Sequence, residues 1–443
     1  MTISKEGGDR WYYTFLPYNV AGGSTSPMIP LFITEGLKGT VAQVGLVGAI
    51  SSMASVPANI IWGNLSDTTK KRKIFVLIGF LGMAISLLLM GLSMDMGTYY
   101  FANFILGAIA AAAAPVSTVI ILETFKKEEW ARRIGDFSKI SGVGWVLGLV
   151  LGTIWLQLAS DDGTVVSAMR GLFITASALA LVSVFLAIKW VPEPTKRVER
   201  KDAVEEVPLS RLIHFERGRY GPTKIIHIMK VSAHNLSPRN FPSSLKLYYV
   251  VTLLAFTGFL TFYTAFPIFL KRELGLSISE VFIVYLASSV TSALTYSLAG
   301  RWTSAVGGKK VQILAFLGRI LLFPMVFLVT LLDLELWPLM AALCALHALI
   351  GFCWASLSVA GSTIVSRISY RDFRTESLGA YNAIMGIGAI IGSLIGGLVA
   401  ETMGYQITFI LASFLVLSAL LLLLPLNLDK EPNEEIAPHA IEA

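Results

Sequence analysis

Charge is scarce in this chain. Only 14% of its 443 residues are Asp, Glu, Lys or Arg, where a soluble domain carries roughly a quarter, so much of its surface must face something other than water. Cysteine is scarcer: Cys344 and Cys353 are the only two, and both fall in one apolar run. Nine residues of helix would hold them about 13 Å apart, beyond disulfide reach, so they read as small apolar fillers and carry no information on redox compartment. Of the five histidines, His214, His227 and His234 sit in a polar stretch without metal-ligand spacing and read as solvated. No metal and no cofactor is expected. A phosphate loop of the form G-x-x-x-x-G-K-[ST] is missing, which disfavours an ATP-driven pump. His-Glu-x-x-His, a nucleophile elbow and carboxylate clusters inside the apolar runs are missing too, which argues against a membrane enzyme. No cleavable signal is expected here: the first ten residues are mixed in charge, and the run that follows is too long and too rich in Gly, Ser and Pro. That run reads as the first membrane span.

Apolar residues are abundant. They make up 55% of the chain, with a mean hydropathy of +0.69, and they recur in runs of about 20 residues, enough to cross a bilayer. Twelve such runs stand at 11–34, 40–65, 74–94, 98–123, 136–158, 168–191, 247–271, 278–302, 310–332, 336–366, 377–401 and 404–427. In lipid each backbone polar group must be satisfied within its own segment, so the runs are expected to be helices. The basic residues fall in alternate loops: Lys70–Lys73, Lys126 to Arg133, Lys196 to Lys201, Lys309 and Lys310, then Arg367 to Arg374. The intervening loops are short and show Asp95, Asp161, Asp162, Asp333 and Glu335. By the positive-inside rule the basic loops and both termini are cytoplasmic. The formal charge of +6 is therefore topogenic and does not point to nucleic acid.

The first quarter of the chain is echoed in its second half. With Pro30 set against Pro267, Phe32 meets Phe269, Val44 meets Val281, Ser51 and Ser52 meet Ser288 and Ser289, Gly63 meets Gly300, and Lys73 meets Lys310. A second register aligns Gly135, Gly142, Gly144, Gly148 and Gly152 with Gly379, Gly386, Gly388, Gly392 and Gly396. The expected fold class is an all-α membrane protein of twelve transmembrane helices in two pseudo-symmetric six-helix bundles, 1–192 and 247–428. A cytoplasmic linker, 193–246, joins them, and an acidic, disordered tail, 429–443, follows. Part of the linker has apolar residues loosely spaced as on an amphipathic helix; a disordered connector is the alternative. Two similar halves able to rock about a site between them are what a transporter requires.

One loop is more specific. Gly63-Asn64-Leu65-Ser66-Asp67-Thr68-Thr69-Lys70-Lys71-Arg72-Lys73 resembles the signature loop of the major facilitator superfamily, G-x-L-[AS]-D-[RK]-x-G-[RK]-[RK]. Thr68 and Lys70 depart from it; the second copy, from Gly300, has Ser304 in place of the acid. The resemblance implies that Asp67 holds the cytoplasmic side shut by pairing with Arg132 or Arg133 and facing the start of the eleventh helix near Ser377. The other candidate gating residues are Gly63, Arg72, Glu123, Arg132, Arg133, Gly300, Arg371 and Arg374. An ordinary solvated loop acid is the alternative for Asp67, and plain loop charge for the rest. The family's antiporters carry a Gly-Pro step in the fifth helix, whereas the ladder here has no proline.

If the family layout holds, helices 1, 4, 7 and 10 line the path, aided by 2, 5, 8 and 11. Candidate substrate-binding residues in the first half are Asn19, Ser26, Asn59, Asn103 and Trp145. In the second half they are Tyr263, Tyr296, His347, Trp354 and Asn382. The repeat pairs Ser26 with Tyr263 and Asn59 with Tyr296, so a cavity rich in aromatic and amide groups and nearly uncharged is expected. Proton coupling needs a group that titrates in the membrane, and His347 is the candidate; a neutral histidine hydrogen-bonded between helices is the alternative. In many proton-coupled exporters of the family an arginine stands four residues before a glycine in helix 4; here that position is Asn103, before Gly107. Arg319, deep in the ninth helix and outside the family's usual cavity, is expected to pair with backbone or a neighbouring helix.

The expected function is a secondary transporter in the cytoplasmic membrane, moving a small neutral or amphipathic solute, drug-like or sugar-like, by alternating access. An uncoupled facilitator and a lipid-moving transporter or scramblase are the alternatives. The expected partners are the solute and membrane lipid, with the chain acting as a monomer.

Overall fold

Backbone that faces lipid must close its hydrogen bonds locally, and the apolar runs do so as helices. A computed structural model of the chain describes residues 9–69, 71–125, 129–158, 164–193, 241–370 and 373–428, among which there is helix and no strand. The first expected run is broken into pieces. A 3-10 turn, Arg10–Thr14, leads into α1 (Phe15–Thr25), then α2 (Met28–Leu31) and a π-turn, Phe32–Gly36. Pro27 and Pro30 each remove a backbone donor there, which is why the helix does not run through. There follow α3 (Val41–Thr69), α4 (Lys73–Leu92), α5 (Met96–Ile109), α6 (Ala113–Thr124), α7 (Trp130–Leu158) and α8 (Val165–Trp190). Beyond the linker come α9 (Ser243–Arg272), α10 (Ile278–Val306), α11 (Gly308–Leu328), α12 (Leu336–Ile368) and α13 (Arg374–Leu423). Ten stretches of helix among the described residues are long and apolar enough to cross a membrane. The expected runs 377–401 and 404–427 are continuous as the 50-residue α13, bent at Gly404, whose φ of 84° and ψ of 170° leave the helical region. The amphipathic segment expected in the linker and the tail expected to be disordered lie outside the described residues.

Helix starts follow capping chemistry. Asp95 accepts from the backbone N–H and the hydroxyl of Thr98 at 2.9 and 2.8 Å, and these bonds hold its carboxyl below the usual carboxylate range. Ser277 and Glu280 form a capping box at the start of α10.

Small residues set the packing, and they do so twice. A Cβ built on Gly148 of α7 would stand 2.2 Å from the Val20 carbonyl oxygen of α1, and one on Gly392 of α13 2.3 Å from the Thr257 carbonyl oxygen of α9. Gly107 against Ser51 and Gly351 against Ser288 repeat the arrangement, each at 2.3 Å. Only glycine permits backbones this close. The repeat seen in the sequence is thus a repeat of helix contacts.

Helices from before and after the linker meet along a seam. Near the turn that precedes α3, the Val41 N–H donates to Glu401 Oε2 at 2.7 Å, and Cβ atoms on Gly45 and Gly397 would collide with α13 and α3 respectively. Near the end of α7, Ser279 Oγ donates to Gln157 Oε1 at 2.8 Å, and Gly152 sits against the Phe282 ring. These contacts cluster toward the end of the bundle that carries the acidic loops. Toward the basic end, Gly63, Gly135, Gly142, Gly300 and Gly379 would each present a Cβ to open space. The contacts described across the seam lie at the acidic end and, where Gly386 faces Val56, near mid-helix.

Candidate functional site

A cavity of about 130 Å³ opens among helices of the second half. From α9 it takes Phe256 and Phe259, from α11 Gln312 and Phe316, from α12 Trp354 and Ser358, and from α13 Tyr381 and Asn382. Aromatic faces dominate the wall, and the polar groups are amide, hydroxyl and phenol. Gln312 is held by the Tyr248 hydroxyl, which donates to its Oε1 at 2.8 Å, while Tyr248 stacks on Tyr381 at 6.2 Å. Gly361 makes room for that phenol, since a Cβ there would stand 2.2 Å from Tyr381 Oη.

Of the sequence candidates, Trp354 and Asn382 are on this wall. Tyr263 and His347 stand together nearby, with ring centres 6.0 Å apart. His347 is buried, stacked on Phe266 at 4.6 Å and against Tyr285 at 5.3 Å, and its Nδ1 has no hydrogen-bond partner. Tyr296 is on α10, 40% exposed. In the first half, Asn19, Asn59 and Asn103 each donate to a carbonyl one turn back in their own helix, that of Phe15, Ser55 and Tyr99, at 2.7 to 2.9 Å. Ser26 marks the end of α1, and the Trp145 ring lies over Gly22. The structure therefore draws Tyr263, His347, Trp354 and Asn382 toward one place and spreads the first-half candidates along four helices, α1, α3, α5 and α7.

Sequence reasoning missed the part played by α11. Gln312 and Phe316 are on the cavity wall, and Arg319 on the same helix is fully buried. Its guanidinium carbon lies 4.0 Å over the Phe259 ring, 5.7 Å from Phe323, 5.8 Å from Trp354 and 5.9 Å from Tyr263. Arg319 thus meets neighbouring helices through ring faces, and among the described residues none of its three nitrogens has a hydrogen-bond partner. The Tyr263 phenol, the sole acceptor among the four rings, is within electrostatic reach of the guanidinium. A cation–π contact is worth about 2 kcal/mol when desolvated, whereas burying an ion costs several kcal/mol even after relaxation. The rings therefore offset charge but give its N–H groups no acceptor. The signal was in the sequence: Gln312 and Arg319 are seven residues apart, two turns of one helix face.

At the basic end, Arg72 makes a two-point contact with Glu123, Nε to Oε2 at 3.0 Å and Nη2 to Oε1 at 2.6 Å, and donates from Nη1 to Ser66 Oγ at 2.8 Å. Glu193 accepts from the backbone N–H groups of Arg72 and Lys73 and so caps α4. All of this lies within the first half. Arg133 reaches Asp9 at 2.6 Å and covers the Phe125 ring at 4.2 Å; Arg132 approaches Asp136 at 3.9 Å. The side chains of Asp67 and Arg374, and the whole of Arg371, lie outside what the structure describes.

The family description "Major Facilitator Superfamily" matches residues 14–241 and 248–442. The chain is 25% identical over 423 residues to "Multidrug resistance protein MdtG" of Salmonella arizonae, covering 92% of this chain and 91% of that one, and to the same protein of Salmonella newport over the same shares. Among solved structures it resembles the nucleoside transporter NupG with a TM-score of 0.67 at 14% identity, covering 95% of this chain and 99% of that one. It also resembles a bacterial homologue of the human lysosomal transporter Spinster, solved inward-facing and unoccupied, with a TM-score of 0.64 at 16% identity over 96% of both chains.

Proposed function

The chain belongs to the Major Facilitator Superfamily and is a membrane transporter, and from that membership we propose that it exports small amphipathic, drug-like solutes across the cytoplasmic membrane by alternating access. Twelve crossings follow if the pieces 10–36 count as one span, α5 and α6 as one, and α13 as two arms about Gly404. The basic end is then cytoplasmic. The observation that supports the mechanism is the seam, bonded at the acidic end through Val41 to Glu401 and Ser279 to Gln157. We read a bonded acidic end as the inward-open stage of a cycle in which the two bundles rock against each other. Export of drug-like solutes is supported by the relatives named for multidrug resistance and by a wall of stacked aromatic faces with few polar groups. His347, buried and with Nδ1 unpartnered, is the group we assign to proton coupling.

The test is accumulation of fluorescent amphipathic dyes in a bacterial host stripped of its own exporters. Cells expressing the chain should hold less dye than cells with an empty vector, and dissipating the proton gradient should abolish the difference. Equal accumulation of every dye in the two strains would remove the export reading.

A further inference from the structure

Gln312, Phe316, Arg319 and Phe323 recur on α11 at steps of four, three and four, so their side chains share one face. Gln312 and Phe316 line the cavity, and Arg319 is the next step along. Two of the rings around its guanidinium, Phe259 and Trp354, are themselves cavity wall. The wall is therefore two-faced, with space for a solute on one side and a fully buried guanidinium with three unpartnered nitrogens on the other. His347, the second buried group with an orphaned nitrogen here, flanks the same Tyr263 ring as Arg319. Ring faces can offset part of a cation's charge but cannot accept its five in-plane N–H groups; an oxygen anion does both, two bonds at a time. Among the described residues of the second half no such anion stands near it: Glu273, Glu280, Asp333, Glu335 and Glu376 lie near helix ends, and Glu401 lies at the bend of α13.

We propose that Arg319 is the anion receptor of this cavity, and that the solute is an amphipathic anion. Its apolar, aromatic body lies against Phe256, Phe316 and Tyr381, and its carboxylate, or a like oxygen anion, passes between Phe259 and Trp354 to the guanidinium. Trp354, 38% exposed, is the ring able to turn aside. This deepens the transport reading above and rests on it, because it names the chemical class that the exporter takes.

The test uses the full chain in lipid nanodiscs, titrated with benzoate, benzamide and benzylamine, with apparent affinities read from ligand-dependent melting. The native chain should bind benzoate at least tenfold more tightly than benzamide, with benzylamine weakest. Arg319→Met should bring benzoate to the benzamide level while leaving benzamide unchanged, and should raise the melting temperature of the empty protein. Arg319→Lys, which keeps the charge, should keep the sign of the preference. Equal binding of benzoate and benzamide by the native chain, or a preference that survives in Arg319→Met, overturns the proposal. Should the Met variant fail to fold, the native comparison and Arg319→Lys still decide, loss of preference in the Lys variant counting against the assignment. Binding of none of the three probes by the native chain also overturns it. In every case the dye assay reports separately on export, so a neutral- or cation-preferring exporter would leave that reading standing and end this one.

Discussion

The backbone N–H of Val41, the first residue of α3, is capped by the carboxylate of Glu401, 360 residues away on α13, at 2.7 Å. A carboxylate at a helix N-terminus is worth about 0.3–1 kcal/mol when exposed and up to about 2 kcal/mol when partly buried. This bond is partly buried and spans the seam, so it favours the state closed at the acidic end. Glu401→Ala is expected to raise the population open at that end by up to roughly thirtyfold. Thiol labelling of a cysteine placed at Gln157, in a background free of Cys344 and Cys353, checks this; labelling no faster than in the parent removes the latch.

Glu123→Ala leaves the buried Arg72 guanidinium without its two-point partner. Breaking such a pair costs about 3–5 kcal/mol, and a fall in melting temperature should report it. Arg132→Ala should change little, because the Arg132 to Asp136 contact is long, at 3.9 Å, and largely solvated. Similar melting temperatures for the two variants would contradict the distinction drawn between them.

Gly148→Ala inserts a methyl group where 2.2 Å separates it from the Val20 carbonyl oxygen. The helices must part, at about 1–3 kcal/mol. Gly142→Ala, whose Cβ meets open space, should be neutral or slightly stabilising. The two melting curves compared side by side settle the matter; coincident curves would mean that α1 and α7 do not pack as described.

His347→Ala should impair dye export more than His227→Ala, since His347 is buried among Tyr263, Phe266 and Tyr285. Equal export by the two variants would take His347 out of the transport path.

We propose, from the resemblance of its loop, that Asp67 helps close the basic end. Asp67→Asn is expected to move the resting population further toward the state open at that end, read as faster labelling of a cysteine at Gly379. Labelling unchanged from the parent would count against the gate.

Some of the site could be read from the chain and some could not, and the division has a cause. Trp354, Asn382, Tyr263 and His347 were findable because aromatic or polar residues inside apolar runs are conspicuous on their own. The three asparagines of the first half looked the same, yet each spends its amide on its own helix; local side-chain to backbone bonding of this kind is invisible in composition. Arg319 was visible, but its lack of any partner depends on which four rings surround it.

Composition and loop charge by themselves determined that this is a helical membrane protein, because a backbone in lipid has few ways to satisfy itself. The glycine registers determined which helices would be able to approach, since a missing Cβ is written in the sequence. Which end of the seam is closed, and whether a carboxylate reaches across it, only the tertiary structure decided. Those facts depend on distances between residues such as Val41 and Glu401 that no local pattern encodes, and on a balance between two packings of the same surfaces.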